Sequence, residues 1–248
     1  MAAIRKMPIG IQDFEKLRTG GNLYVDKTMY IETLLSIDAP YFLGRPRRFG
    51  KSLFLSTLKY YFQGRKDLFE GLYISTVEKE WAEYPVIYIT FNKAEYQDAD
   101  ALKVVLDATL NEYEKQWKIV DKCSMLSVRF DQLIKTAYQK SGRKVVILID
   151  EYDKPLLSSM QDEALNDKIR SELKGFYSVL KAADESLKFV FLTGVTKFSK
   201  VSIFSDLNRL NDISMLNNYS GICGISEREL LRDFQPEIQA LAEKQQLD

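Results

Sequence analysis

The segment KVVILIDEYD, residues 144–153, constrains the fold more than any other part of the sequence. An apolar run without polar alternation leads directly into two adjacent carboxylates, Asp150 and Glu151. Such a run is typical of a strand that is buried on both faces of a parallel sheet, whereas a half-exposed strand alternates apolar and polar residues. Because a sheet covered on both faces needs helices on both sides, this segment favours an α/β fold.

The rest of the chain alternates short strand-like runs with longer amphipathic stretches. Strands are predicted at 40–44, 86–91, 144–150 and 187–194, with a weaker fifth at 212–216. Helical spacing of three and four residues joins Leu102, Leu106, Leu110, Tyr113 and Trp117, and again Leu165, Ile169, Leu173, Phe176 and Leu180. Ser226 and Glu229 have the spacing of a capping box. We therefore expect an α/β fold with a mainly parallel five-stranded sheet, and one domain over residues 1–248.

Composition excludes several kinds of chemistry. The chain has no histidine, which excludes Ser–His and Cys–His nucleophile pairs, histidine-ligated metals and an imidazole base. Lys plus Arg and Asp plus Glu both number 35, so the net charge of zero gives no overall attraction to nucleic acid or an anionic membrane. Cys123 and Cys223 form no CxxC pattern. Because neither a signal peptide nor an apolar run of about 18 residues is found, we expect a cytoplasmic protein.

The segment YFLGRPRRFGKSLFLSTL, residues 41–58, has the order strand, loop, Gly-Lys-Ser, helix. In a phosphate loop, backbone N–H groups and a helix N-terminus surround the phosphates, the lysine reaches the β- and γ-phosphates, and the hydroxyl binds Mg²⁺. Lys51 and Ser52 fit these two roles, and Gly50 permits close approach of the backbone. The predicted nucleotide-binding residues are Arg47, Arg48, Phe49, Gly50, Lys51, Ser52 and Leu53.

The match to a phosphate loop is incomplete. Arg45 stands where the usual spacing has a glycine, and Gly44 comes one residue too early. Arg47 and Arg48 add further positive charge. The alternative interpretation is a chance Gly-Lys-Ser at a helix start, with the arginines on a solvated turn.

The two carboxylates after the third predicted strand favour the phosphate-loop interpretation. Asp150 is predicted to hold Mg²⁺ opposite Ser52, and Glu151 to orient and activate the attacking water. This is the Walker B arrangement, in the expected order relative to the loop; the alternative is a solvated acidic turn. Asp153, two residues further on, either holds this turn in place or is solvated.

The fourth predicted strand also ends in a polar residue, Thr193. In nucleotide hydrolases with an additional strand between the two motif strands, a residue here senses the γ-phosphate, so Thr193 is either that sensor or a strand-end cap. Lys197, Lys200 and Arg209 either contact phosphate or are surface charges. The segment that leaves the fourth strand after Thr193, residues 194–206, is either a two-state loop that responds to the nucleotide or a packed connector.

These motifs resemble the AAA-ATPase-like family of bacterial proteins along nearly the whole chain. The matching stretches are MPIGIQDFEKLRTGGNLYVDKT, RPRRFGKSLFLSTL, ILIDEYDKPL and LTGVTKFSKVSIFSDLNRLNDIS. The RPRRFGKS string with Arg45 has the family's usual form. The resemblance implies a P-loop NTPase core with strand order 5-1-4-3-2. It also implies a PD-(D/E)XK nuclease-like region after that core in most members, which we do not expect within residues 1–248.

The first of these stretches contains Asp26 and Thr28. Either residue could cap a helix over residues 29–35, since both are favoured at helix N-termini. The alternative is that the segment folds over the nucleotide base, because it directly precedes the strand of the phosphate loop.

The patterns favour an Mg²⁺-dependent nucleotide hydrolase that drives a conformational or assembly switch, and the resemblance implies that it is an ATPase with ATP as its nucleotide. Its predicted catalytic residues are Glu151, Lys51 and Thr193, and its metal ligands are Ser52 and Asp150. The alternative is a nucleotide-sensing scaffold with little turnover, against which Glu151 weighs. A nucleic-acid module is less favoured because its arginines would adjoin the loop and the net charge is zero. A protein partner or self-association stays open, and no membrane partner is expected.

Overall fold

The fold is built on a five-stranded sheet in which all neighbouring strands are parallel. The computed structural model describes residues 5–195 and 209–245. The strands are β1 (Tyr41–Gly44), β2 (Val86–Thr90), β3 (Val145–Asp150), β4 (Leu187–Gly194) and β5 (Asn211–Asp212). Their order is β2-β3-β4-β1-β5, which read from the β5 edge is 5-1-4-3-2. An additional strand, β4, therefore lies between β1 and β3.

Helices cover both faces of this sheet. In chain order they are α1 (Phe14–Thr19), α2 (Met29–Leu35), α3 (Lys51–Phe62), α4 (Ile74–Val77), α5 (Ala99–Gln116), α6 (Leu126–Ser141), α7 (Lys154–Ser158), α8 (Glu163–Tyr177), α9 (Val179–Ala182), α10 (Glu227–Asp233) and α11 (Gln235–Gln245). One apolar core lies between the sheet and α5, α6 and α8, and a second lies between the sheet and α1, α2 and α3. No helix in the described ranges is both long and apolar enough to cross a membrane.

The two cores explain why residues 145–149 are all apolar. All six residues of β3 are buried. Ile147 and Ile149 pack into the core beside α5, α6 and α8, whereas Val146 and Leu148 pack into the core beside α3. A strand with an apolar neighbour on each face has no position left for a solvent-facing polar residue.

The predicted helices are present, with two corrections at their ends. Trp117 is not within α5 but forms its C-terminal cap, and Leu180 belongs to α9 because α8 ends at Tyr177. The Ser178 hydroxyl donates to the Gly175 carbonyl over 2.8 Å, and such local side-chain bonds compete with helix continuation. The capping box of Ser226 at the start of α10 is confirmed, with both of its reciprocal bonds present.

The fifth strand is shorter than predicted and begins one residue earlier. Residues 212–216 were expected to pair, but only Asn211–Asp212 forms β5. The ladder ends because the Gly44 N–H donates to the Ser214 hydroxyl over 2.8 Å rather than to a backbone carbonyl. The Ser214 carbonyl is meanwhile taken by the guanidinium of Arg45. Side-chain contacts thus replace the backbone pairing.

A buried ion pair ties α5 to α6. Arg129 donates from Nε to Glu114 Oε1 over 2.8 Å and from Nη2 to Oε2 over 2.9 Å, and both side chains are almost fully buried. Lys122 lies 3.0 Å from the same carboxylate. The hydrogen bond from Arg129 holds the pKa of Glu114 below its ordinary value.

Candidate functional site

The loop that joins β1 to α3, residues 45–50, curls around the amine of Lys51. The Lys51 side chain is buried, and Nζ donates to the Arg45 carbonyl over 3.0 Å and to the Pro46 carbonyl over 3.1 Å. Gly50 has φ 93°, which favours glycine, and Arg48 has φ 63°, which a side chain adopts at a cost. The loop therefore turns sharply to present the first N–H groups of α3 beside a fixed positive charge.

Arg45 anchors this loop, because its guanidinium donates to backbone carbonyls. Its Nη1 donates to the carbonyls of Gly44, over 3.0 Å, and Ser214, and its Nη2 donates to the Tyr219 carbonyl over 3.2 Å. The Arg45 N–H donates to the Gly194 carbonyl over 3.1 Å. The arginine at the position where a glycine is usual thus fastens the loop to β4 and to the chain after β5.

Asp150, Thr193 and the backbone of Glu151 meet at the carboxyl edge of the sheet. The Thr193 hydroxyl donates to Asp150 Oδ1 over 2.6 Å and accepts the Glu151 N–H over 3.2 Å. Asp150 and Thr193 are both buried. β1 pairs with β4, and Gly44 lies opposite Gly194. The β1–α3 loop therefore leaves the sheet beside the end of β4, where Thr193 lies.

A fourth polar group at this edge, the hydroxyl of Tyr88, was not among the predicted site residues. It donates to Asp150 Oδ2 over 3.4 Å. In the β2–β3 register Tyr88 is opposite Leu148 and Thr90 is opposite Asp150, so Tyr88 points to the same face as the carboxylate. The alternation along β2 could have placed Tyr88 on this face, but only the strand order makes β3 its neighbour.

The turn after β3 is strained and closely packed. Glu151 has φ 52°, an uncommon conformation for a residue with a side chain, and such strain tends to be found at functional sites. Asp153 is fully buried, and its Oδ2 accepts the Val195 N–H over 2.9 Å, which supports its predicted role in holding the turn. A Cβ on Gly194 would lie 2.5 Å from the Tyr152 ring, so no larger residue fits there.

A cavity of about 290 Å³ opens beside Gly50 and is lined mostly by apolar side chains. Its walls come from the N-terminal segment, α3 and the chain around α10, including Tyr24, Lys27, Phe49, Leu53, Ile222, Cys223 and Phe234. Burial raises the pKa of Cys223 to about 11. Lys27 Nζ lies 2.5 Å from Glu229 Oε1, so an ion pair joins the N-terminal wall to the α10 wall.

The segment before α2 lines part of the cavity beside Gly50 and is held in place by its own polar side chains. Thr28 occupies the N-cap position of α2 without a side-chain cap bond, so the predicted capping by its hydroxyl is wrong. Asp26 instead accepts from the N–H and hydroxyl of Thr28 and from the Tyr73 N–H, at 2.7–2.8 Å. The Thr28 hydroxyl accepts the Ile74 N–H over 3.1 Å. These bonds hold the segment against α4.

Other residues from the sequence analysis lie apart from this edge or outside the description. Arg209 pairs with Asp184 over 3.1 Å and lines a different pocket with Lys144 at the amino ends of the strands, which favours the surface-charge alternative. Lys197 and Lys200, with most of segment 194–206, lie outside the described residues. Arg47 is exposed at the loop surface.

Comparison with known proteins identifies the family of this chain. A family model described as predicted AAA-ATPase, of the AAA-ATPase-like family, matches residues 8–204. The chain belongs to this family. The matched range of the AAA-ATPase-like family includes the β1–α3 loop, Asp150, Glu151 and Thr193.

One curated relative of this AAA-ATPase-like chain carries the description "uncharacterized protein in vnfD 5′ region" and comes from Azotobacter chroococcum mcd 1. It is 42% identical over 239 residues, which cover 96% of this chain and 46% of the relative. The chain thus spans about half the length of the curated relative that it matches. No solved structure matches the chain.

Proposed function

We propose that this chain is a P-loop ATPase that binds Mg-ATP and hydrolyses it. The observation that carries the proposal is the buried Lys51 amine, enclosed by the loop at the start of α3 and level with the Asp150–Thr193 pair. A lysine amine is a costly group to bury unless an anion completes its environment. Carbonyl oxygens solvate the amine in the present arrangement, and phosphate oxygens would replace or join them.

The loop and the start of α3 supply the phosphate site in this proposal. The N–H groups from Arg47 to Leu53 face the phosphates, and Lys51 stabilises the charge on the transferred group. Arg45 acts by holding the loop in shape. The strained Arg48 and the glycine conformation at Gly50 then belong to the turn that aims the N–H groups.

In this proposal Asp150 and Ser52 are the protein ligands of a magnesium ion that arrives with its nucleotide. Such an ion keeps several waters and uses one or two protein ligands in addition to phosphate oxygens. The Asp150 carboxylate is buried and hydrogen-bonds to neutral hydroxyls, which leave its negative charge for a cation. Bound there, Mg²⁺ would neutralise charge developing on the phosphates.

Glu151 is the proposed general base for the attacking water. The Thr193 hydroxyl accepts the Glu151 N–H and donates to Asp150. The proposed γ-phosphate sensor, Thr193, is therefore in direct contact with the backbone of the proposed base. The histidine-free composition makes a carboxylate the natural base at this position. The apolar cavity beside Gly50 would take the base of the nucleotide, and its walls are closed by the Lys27–Glu229 pair.

Calorimetric titration of the purified chain with Mg-ATP, followed by phosphate release at saturating nucleotide, tests this function. Lys51→Ala should abolish binding, whereas Lys66→Ala, an exposed lysine beyond the same helix, should bind like the parent. Binding with no turnover in the parent would support the scaffold alternative. Equal binding by the parent and by Lys51→Ala would contradict the phosphate-loop assignment.

A further inference from the structure

The Asp150 carboxylate is held from two neighbouring strands. Thr193 on β4 donates to Oδ1 over 2.6 Å, and Tyr88 on β2 donates to Oδ2 over 3.4 Å. The two hydroxyls approach different oxygens, so together they limit rotation of the carboxyl group about its bond to Cβ. The Tyr88 bond, at 3.4 Å, is longer than the usual O–H···O range of about 2.5–3.0 Å, so Tyr88 orients the carboxylate only weakly in the absence of a metal ion.

Tyr88 is itself fixed from the far side of β2. The Tyr88 N–H donates to the Tyr113 hydroxyl over 2.7 Å, and that hydroxyl donates to the Tyr88 carbonyl over 3.3 Å. Both backbone groups that Tyr88 turns away from β3 are therefore satisfied by one side chain on α5. The outward backbone groups of a strand at the side of a sheet, such as β2, usually bond to water or to another chain. The bonds to Tyr113 take their place here and fix the backbone of Tyr88.

We propose that Tyr88 is a positioning residue for Asp150, which it orients toward the magnesium ion of a bound Mg-nucleotide. The inference rests on the proposed function. Groups that hydrogen-bond to metal ligands fix the direction of the ligand's lone pairs, and their removal typically costs about 10–100-fold in metal affinity or activity. Tyr88 lies on the strand beyond β3, so this role depends on the strand order and not on any motif.

The test measures the Mg²⁺ dependence of nucleotide binding, using a fluorescent ATP analogue with EDTA and then across a Mg²⁺ titration. For Tyr88→Phe we expect the metal-free affinity of the parent and a Mg²⁺ midpoint about tenfold higher. Tyr41→Phe is the matched control, because it also removes one tyrosine hydroxyl from a strand, but that hydroxyl donates to the Leu34 carbonyl over 2.8 Å and not to Asp150. Its midpoint should equal that of the parent.

Tyr113→Phe gives a second, independent variant. It keeps the Tyr88 hydroxyl and removes the group that fixes the Tyr88 backbone, so the Mg²⁺ midpoint should shift in the same direction by a smaller factor. Thermal unfolding of each variant checks that the fold is retained.

Several results would overturn the inference. A Tyr88→Phe titration that superimposes on those of the parent and Tyr41→Phe would do so while leaving the proposed function intact. Equal weakening of metal-free and Mg²⁺-dependent binding would also do so, because it would assign Tyr88 to packing. A parent that binds no nucleotide would overturn the proposed function first, and this inference with it.

Discussion

The hydroxyl of Thr193 connects two adjacent carboxylate residues, because it donates to Asp150 Oδ1 over 2.6 Å and accepts the N–H of Glu151 over 3.2 Å. A single oxygen on β4 therefore sets the orientation of one side chain and the backbone position of the next. In an ATPase these would be the metal ligand and the general base, so a change at Thr193 should affect both roles together.

Thr193→Val should retain metal-free nucleotide binding, raise the Mg²⁺ concentration needed for tight binding, and lose about 10–100-fold in hydrolysis rate. Valine keeps the shape of the side chain and removes both hydrogen bonds, and a buried hydrogen bond to a charged group contributes about 1.5–3 kcal/mol. Thr193→Ser keeps the hydroxyl and is the matched control. Steady-state phosphate release measures the effect, and a valine variant with the parent rate would exclude Thr193 from the catalytic arrangement.

The two adjacent carboxylates should be separable by substitution. Glu151→Gln should bind Mg-ATP like the parent and hydrolyse it about 10²–10⁴-fold more slowly, since it lacks the general base. Asp150→Ala should weaken binding only when Mg²⁺ is present. Calorimetry with and without EDTA, together with single-turnover hydrolysis, measures both effects; a Glu151→Gln protein with normal turnover would place the base elsewhere.

Glu151→Gly should make the protein more stable while it stops hydrolysis. The left-handed backbone at φ 52° costs a residue with a side chain about 1 kcal/mol, and glycine adopts it freely. Glu151→Gln keeps the strain and should show no such gain. Urea unfolding of both variants measures the difference, and a glycine variant less stable than the glutamine variant would show that side-chain contacts outweigh the strain.

Restoring the usual glycine of the motif should impair this protein. Arg45→Gly removes the guanidinium bonds to the carbonyls of Gly44, Ser214 and Tyr219, so the loop loses its attachment to the chain after β5. We expect weaker nucleotide binding and a lower melting temperature, whereas Arg47→Gly, at an exposed position, should leave the melting temperature near that of the parent. Tighter binding by Arg45→Gly would contradict the anchoring role.

The α5–α6 ion pair should make stability depend on acid pH. The pKa of Glu114 is lowered in the folded protein, so its contribution is fully present above the unfolded-state pKa of about 4.3 and is lost as pH falls through the folded pKa. Because Arg129 also pairs with Asp107, Glu114→Gln should cost about 1.5–3 kcal/mol at pH 7 and progressively less in acid. Urea unfolding at several pH values measures this, with exposed Glu112→Gln as the control.

Much of the sheet could be predicted from local patterns. The apolar run before Asp150 identified a strand buried on both faces, and β4 has the predicted bounds. The family resemblance supplied what periodicity could not, because no local pattern says which strands are neighbours. β5 was mispredicted because side chains of Ser214 and Arg45 end its pairing, and these contacts join residues about 170 positions apart.

The candidate site could be predicted only where residues share a motif. The roles predicted for Lys51, Asp150, Glu151 and Thr193 stay predictions, although the fold gathers three of them at one edge. Tyr88 gave no signal, since its role depends on the position of β2 beside β3. Arg45 has the usual form of the family, but its anchoring role could not be predicted because its partners are backbone carbonyls, which no sequence pattern records. The single domain and the cytoplasmic location also stay predictions.

The helices α10 and α11 contain no buried residue, yet the chain around them closes the cavity beside Gly50. Two ion pairs join these helices to the N-terminal segment: Lys27 with Glu229 at 2.5 Å, and Arg5 with Glu237 at 2.8 Å. Salt screens exposed charges far more than buried ones; the Arg5 side chain is 44% exposed, whereas those of Lys27 and Glu229 are 9% and 17% exposed. High ionic strength should therefore weaken the contact of Arg5 with α11 before that of Lys27 with α10, so the two helices differ in how firmly they are held to the N-terminal segment.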